Sequence, residues 1–312
     1  MILEIPTSEE FYASGKELLD FAWNTVVELL IDLDGLEDGG VSPHEVEEIS
    51  DAYWKSAKRY LTTALSITQQ GVEFILKGKI IDVSPFILIA GDPGKWPSPE
   101  KGCNNLKYSQ FRMIDAQDLI KVHNTVSNIP LSEDFRTYFD NLRKKRNSIM
   151  HSIDKNLDIP ILEVIDSILS MHKSLFPNET WGQVRYDFLI NSPGNYLNNE
   201  VAGDSFVSAR VSHELSLVFK LLKPAKIKEY FDVDSSQRSY FCPRCYSDSI
   251  NESNPCKLAI LTPKGADSVN IYCPVCDSNY EVIREKCRSS DCPGNVISRE
   301  YVICLTCGVD VE

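Results

Sequence analysis

LSEDFRTYFDNLRKKRNSIMHS, Leu131 to Ser152, is the stretch on which the fold turns. Ser132 stands where an N-cap belongs, and Glu133 and Asp134 follow it with the charge that suits a helix N-terminus. With Phe135 at zero on an ideal wheel, Phe139, Leu142, Ile149 and Ile153 fall within about 40° of it, one apolar stripe. Arg146 lands on that same stripe. A guanidinium in line with core residues cannot deprotonate to escape desolvation, so it requires a carboxylate, a phosphate or a hydrated cleft. His151, five residues on, lies about 140° around the wheel, in line with Asn147, Lys144 and Asp140. A straight helix therefore does not bring Arg146 and His151 together. A long Arg side chain reaching round, a local irregularity, or a second copy across a twofold would each do so, and the isologous contact is the preferred one.

Outward from this helix the body is helical. Phe11, Leu18, Phe21, Ala22, Val26, Leu29 and Leu30 recur at helical spacing from Ser8 to about Leu33, stopping at Asp34-Gly35. A second helix begins after Ser42 and Pro43 and continues through Val46, Ile49, Tyr53, Ala57, Tyr60, Ala64 and Ile67 to about Gly71 or Gly78. From 79 to 114 the period fails among Pro85, Pro93, Pro97 and Pro99, which predicts a proline-rich insertion with a short buried segment, IDVSPFILIA. A short helix from Asp115 to about His123 precedes the motif helix, and PILEVIDSILSMHKSLF follows it as another amphipathic helix. After Lys223-Pro224 the texture changes to cysteines, prolines and short β-branched runs. The expected organisation is an all-α helical body over 1–223 and a small, β-hairpin-containing cysteine-rich domain over 224–312.

Composition narrows the classes. With 312 residues, 43% hydrophobic and 25% charged, the chain is globular and long enough for two cores. No apolar run approaches the ~20 residues of a membrane span, and MILEIPTSEEFY lacks a secretion signal, so a cytoplasmic protein with no membrane role is expected. A net charge of -13 opposes general adhesion to nucleic acid. The charge is uneven, however. Met1 to Asp51 holds fourteen carboxylates against Lys16 alone, whereas Leu142 to Arg146 reads LRKKR.

The string Arg146-Asn147-Ser148-Ile149-Met150-His151 resembles the Arg-x(4–6)-His motif of the HEPN superfamily, including the polar residue after the Arg. GVEFILKGKIIDVSPFILIAG is similar to the helix and following segment upstream of the motif in bacterial members. The resemblance covers roughly Ser8 to Leu175. It implies an HEPN-like bundle and a dimeric, metal-independent endoribonuclease, often a toxin or phage-defence effector. In that chemistry the RNA 2′-hydroxyl attacks the adjacent phosphorus and leaves a 2′,3′-cyclic phosphate. His151 would move the proton, Arg146 would hold the phosphate oxygens, and Asn147 would orient the nucleotide or the His. Arg143, Lys144 and Lys145 would draw the strand in. Equally open from the residues alone are a solvated basic face, an ion pair of Arg146 with Glu73, and a non-catalytic HEPN dimer that serves as a scaffold. A protein partner or antitoxin fits either case. His44, His123, His172 and His213 have no companions at ligand spacing.

Four cysteine pairs crowd the tail: Cys242/Cys245, Cys273/Cys276, Cys287/Cys292 and Cys304/Cys307. Thiolates separated by two residues, or by four at Cys287/Cys292, reach one ion, and two such knuckles complete a tetrahedron, so eight ligands make two structural Zn2+ sites. Chain order suggests that the first two pairs share one ion and the last two the other, around hairpins of 257–262 with 269–272 and of 296–298 with 301–303. The tail then resembles tandem zinc ribbons. An interleaved pairing satisfies the same spacing. Cys103 and Cys256 are left as non-ligands. Arg238, Arg244, Arg284, Arg288 and Arg299 beside Tyr240, Phe241, Tyr272, Tyr280 and Tyr301 could form a patch for RNA or a partner.

Overall fold

The computed structural model describes residues 1–38, 43–99, 104–151, 158–199, 205–248 and 256–311. It is mostly helical, with a small antiparallel sheet at the C-terminal end. Two compact units emerge, one of Met1–Leu29 with Gly40–Leu175 and one of Leu30–Gly39 with Phe176–Glu312. The change of texture at Pro224 thus lies inside the second unit, whose helices and cysteine-rich part are compact together.

In the first unit a short parallel pair, β1 (Ile2–Leu3) and β2 (Leu106–Lys107), ties the N-terminus to the proline-rich segment. Helix α1 (Ser8–Asp38) and helix α2 (Pro43–Ile81) are the long elements, both running past the expected ends. The reason for α2 is visible at Gly71, which with Gly78 is one of the two ends expected from the sequence. A Cβ there would stand 2.8 Å from the Gly15 carbonyl oxygen, and one on Gly15 would meet Ile75 at 2.5 Å. These glycines let two backbones cross closely and do not end a helix.

Helix α2 is the hub of this unit: α3 (Leu119–Val126), α4 (Glu133–His151) and α5 (Ile161–Leu175) all pack on it. Val72, Ile75, Leu76 and Ile80 of α2 are fully buried, as are Phe139 of α4 and Val164, Ile165 and Ile168 of α5. The N-cap of α4 is the expected one, the Phe135 amide donating to Ser132 Oγ at 3.1 Å. Helix α3 begins later than Asp115, because Asp115 to Asp118 close a turn of their own.

The proline-rich segment is an ordered excursion built on 3-10 turns at Pro85–Leu88, Pro93–Lys95 and Tyr108–Gln110. Its ends are pinned by Ala90 N–H to Arg112 O at 2.8 Å and Ile114 N–H to Leu88 O at 2.9 Å. Within IDVSPFILIA, Ile81 and Leu88 are buried while Val83 and Phe86 are exposed, so the segment is only partly the buried one expected.

The second unit contains α6 (Trp181–Ile190), α7 (Pro193–Asn199), α8 (Ser205–Leu221), α9 (Pro224–Phe231) and α10 (Pro243–Asp248). Its helical part is pinned by an ion cluster built on a fully buried pair, Arg185 and Glu214. Arg185 of α6 donates to both oxygens of Glu214 of α8 at 2.9 and 3.0 Å, and Arg210 donates to Glu214 at 2.8 Å. Burial raises the Glu214 pKa, but the hydrogen bonds and charges of the two arginines outweigh it and the net shift is downward. The carboxylate therefore contributes stability above the ordinary carboxylate range, and that contribution is lost as the pH falls through its depressed value.

The tail sheet has the order β3 (Ile260–Leu261), β4 (Asn270–Cys273), β5 (Ser278–Ile283), β6 (Ile297–Ser298), all antiparallel. The first hairpin is the expected one, with Ile260 opposite Tyr272. The second is joined to the first: β6 pairs with β5, with Val282 opposite Ser298, which the sequence reading of two separate ribbons did not include. The segment 296–298 pairs in addition with 303–305, two residues beyond the expected 301–303 start, through the Ile297–Cys304 bridge, Ser298 N–H to Ile303 O at 2.9 Å and Leu305 N–H to Val296 O at 2.9 Å.

Replacing Glu214 by Ala leaves the Arg185 guanidinium buried without its counter-charge and should cost about 3–5 kcal/mol in urea unfolding. Arg210→Ala, at a half-buried position, should cost far less. Equal effects of the two would contradict the assignment.

Candidate functional site

Among the described residues, the side chains singled out from the sequence gather on helix α4 and in the cysteine-rich tail. On α4 the apolar stripe of Phe135, Phe139 and Leu142 gives way to Arg146 as the helix leaves the core. Arg146 is half-buried, and with Arg143 and Asn147 it lines a cleft of about 180 Å³. The opposite wall is Gln69 and Glu73 of α2, and the rim is the turn of Asp115, Ala116 and Gln117.

The charges in this cleft are unevenly satisfied. Glu73 accepts from Lys77 at 2.8 Å and from the Gln69 amide at 3.4 Å, and Asp115 from Arg112 at 3.1 Å. Both carboxylates are thus answered by cations outside the cleft wall. Arg146 donates to Asn147 Oδ1 at 3.2 Å. It forms no ion pair among the described residues, so the Glu73 partnership weighed from the sequence is not formed. Arg143 approaches Asp140 only at 3.6 Å, and its Nε is buried with no hydrogen-bond partner. Two guanidiniums with donors to spare face one small cavity, the arrangement that suits a bidentately held anion.

The other expected site residues are placed differently. His151 is exposed, is the last residue of α4, and is not part of the cleft lining. Helix α4 is regular from Glu133 to His151, so no local irregularity within it brings Arg146 and His151 to one point. Lys144 is exposed, while Lys145 is tied to Glu163 of α5 in a different cavity. Of the basic run, only Arg143 joins Arg146. Ile153, assigned to the apolar stripe, lies outside the described residues. Gln69 was missed by sequence reasoning. It is 2% exposed, and the available signal was a polar pair, Gln69 and Glu73, at i, i+4 on an otherwise apolar helix face.

Of the other histidines, the side chain of His44 lies outside those described, and the remaining three are structural in kind. His123 and His172 are buried, His123 beside Asn124 Oδ1 at 2.9 Å, and His213 meets Asp34 at 3.2 Å.

The second place is the cysteine-rich tail. Cys242, Cys245, Cys273 and Cys276 form one group and Cys287, Cys292, Cys304 and Cys307 another, so the sequential pairing holds over the interleaved one. Each group could hold a metal ion. The cross-knuckle Sγ–Sγ distances are 3.7 and 3.9 Å in the first and 3.8 and 3.9 Å in the second. A tetrahedron with ~2.3 Å metal–sulfur bonds has edges of about 3.8 Å, so the thiols already have the spacing of a four-thiolate shell. Such a shell has no open position. Cys256 is half-buried outside both groups, and Cys103 lies outside the described residues.

Electrostatics points the same way. Hydrogen bonds from Cys242, Cys245 and Cys273 hold the Cys276 thiol far below its ordinary pKa, while burial pushes Cys273 well up and Cys307 up to about 12. Crowding and burial oppose ionisation of the four thiols together, and full ionisation of all four requires a cation. The phenol of Tyr280 faces Cys276 Sγ at 3.4 Å, a further donor to that thiolate.

The two groups are mechanically joined. The Phe241 amide donates to Leu305 O at 2.9 Å, and Gly308 (φ +78°) lies so close to Tyr246 that a Cβ would stand 2.1 Å from its hydroxyl. Nearby, Arg244 pairs with Asp248 and Arg299 with Glu281, and Arg238 lies over Tyr240, so the arginines expected to form a basic patch are partly neutralised.

Comparison of the chain with protein-family models, with curated proteins and with solved structures finds no match.

Elemental analysis of the purified chain should find two metal ions per molecule, and a Cys245→Ser/Cys276→Ser variant at most one. Stripping the metal with a chelator should lower the thermal midpoint, because ions that bind only the folded chain stabilise it. A chain that carries no metal and gains no stability on adding it would contradict both sites.

Proposed function

We propose that this protein is an endoribonuclease of HEPN type that works without a catalytic metal, acting as a dimer in the cytoplasm with two structural zinc ions in its tail. The observation that carries the reading is the pair of guanidiniums, Arg143 and Arg146, open with Asn147 on one small cleft of the helix that bears the Arg-x(4)-His string. A phosphodiester supplies what those donors lack, and a phosphorane carrying extra negative charge supplies more of it, so the clamp favours the transition state over the ground state.

In this reading an imidazole takes the proton of the RNA 2′-hydroxyl as that oxygen bonds to phosphorus. The bond from phosphorus to the 5′-oxygen breaks, the imidazolium returns its proton to the leaving oxygen, and a 2′,3′-cyclic phosphate remains. His151 is five residues beyond Arg146, about 7.5 Å along the axis and about 140° around it. The imidazole that serves a given arginine cleft is therefore assigned to the other copy in a twofold dimer. Zinc is the metal assigned to the two four-cysteine groups, whose closed shells suit a structural role. A toxin or phage-defence role, with an antitoxin or other partner held by the tail, fits an enzyme of this kind.

A second reading keeps the dimer and drops the chemistry. The exposure of His151, away from the arginine cleft, favours a non-catalytic scaffold that presents the metal-bound tails to protein or nucleic acid.

The test is cleavage of single-stranded RNA in the presence of chelator. Wild type should leave cyclic-phosphate ends, and Arg146→Ala and His151→Ala should each lose at least about a hundredfold, as expected for removing a general base or a charge-stabilising group. Mixing the two inactive variants should restore about a quarter of wild-type activity, since half of random dimers are mixed and each has one intact composite site. No recovery would overturn the shared site, and full activity in both variants would overturn the assignment altogether.

A further inference from the structure

Helix α4 has a second cavity on its other flank. Tyr138, Asn141, Leu142 and Lys144 of α4 face Asp166 and Ser167 of α5 across a space of about 440 Å³. That volume falls within the ~300–1,000 Å³ of small-molecule sites, and is more than twice the arginine cleft.

Its lining is chemically distinct from the cleft. Lys145 and Glu163 neutralise one another across it. The Tyr138 hydroxyl lies 3.3 Å from Asp166 Oδ2 and 3.2 Å from Ser167 Oγ. Burial holds the Tyr138 phenol above its ordinary range; the Ser167 hydrogen bond opposes this and the Asp166 carboxylate adds to it, so the hydroxyl keeps its proton at neutral pH. Asn141 and Lys144 are exposed at the mouth, and Leu142 is a buried apolar floor. The cavity thus offers mixed donors and acceptors, an apolar surface and balanced charge. These are the requirements of a flat neutral heterocycle with polar edges, and they do not suit a phosphate.

Its position adds the second argument. With Arg146 at zero on the wheel, Arg143 and Asn147 reach to about 100°, and Lys144, Asn141, Lys145, Tyr138 and Leu142 run from about 160° to about 320°. His151 falls at about 140°, on the ridge between the two hollows. Crossing that ridge means spanning part of a helix about 10–12 Å wide, a distance comparable to that from a nucleotide's phosphate to the outer edge of its base.

We infer that the α4–α5 cavity is a nucleobase subsite, which seats an unstacked base of single-stranded RNA next to the phosphate held by Arg143 and Arg146. Its place beside the phosphate rests on the ribonuclease reading; base binding itself does not. Single-stranded RNA is read through splayed bases hydrogen-bonded at their edges, and amide, hydroxyl and carboxylate groups around an apolar floor provide that contact.

Nucleosides test this without cleavage, because they carry no phosphate for the arginines to hold. Adenosine, guanosine, cytidine and uridine are titrated calorimetrically into the full chain. At least one should bind, Asn141→Ala should weaken it about threefold or more for the loss of one amide contact, and Asn141→Trp, which fills the exposed mouth, should weaken it at least tenfold. Circular dichroism confirms that both variants fold. Binding that vanishes in Asn141→Trp while wild type cuts no RNA would uphold the base site and remove the ribonuclease reading. RNA cleavage with no nucleoside bound, or with binding unchanged in Asn141→Trp, would overturn the base site and leave the ribonuclease reading in place.

Discussion

The permanent charge of Arg146 is the constraint around which the first unit is arranged. A guanidinium cannot be neutralised, so it cannot be buried as Phe139 and Leu142 are. It is accommodated because α4 outruns the surface that covers its first turns, and the stripe that is core at Phe135 becomes cleft wall at Arg146. Arg143 then shares the opening from the next ridge of the same helix. The carboxylates of the cleft, Glu73 and Asp115, are engaged by Lys77 and Arg112, Arg143 reaches Asp140 only at 3.6 Å, and Arg146 has no ion pair among the described residues.

The same physics with the opposite sign organises the tail. Four sulfurs held within 4.8 Å of one another cannot all carry charge unless a cation sits among them. The second group lies in a small hydrophobic cluster with Ile297 and Val311, against which Ile283 and Val302 pack, and a metal held there would add to the stability of a core of that size.

Much of this was legible in the sequence because it depends on local period and spacing. The stripe of α4, its Ser132 cap, the position of Arg146 on that stripe and the grouping of eight cysteines are all consequences of short-range pattern. What escaped depended on contacts between distant residues. Gly71 reads as a helix stop until Gly15 is known to cross it. Gln69 reads as one more polar residue until α4 is laid against α2. The Val282–Ser298 pairing could not be told from two separate ribbons, since each strand is two to six residues long and its partner is chosen by tertiary packing. His151 marks the limit of reasoning from one copy: the helical wheel separates it from Arg146, and the regular course of α4 keeps it separate.

The unbroken run β3-β4-β5-β6 has a consequence for how the tail could be shortened. A chain ended between the two cysteine groups would retain every sulfur of the first, yet β5 would lose the neighbour that occupies the backbone of Val282 and Ile283. An uncovered strand margin of that kind recruits strands from other molecules. Truncation there would yield a self-associating fragment and not a smaller version of the domain.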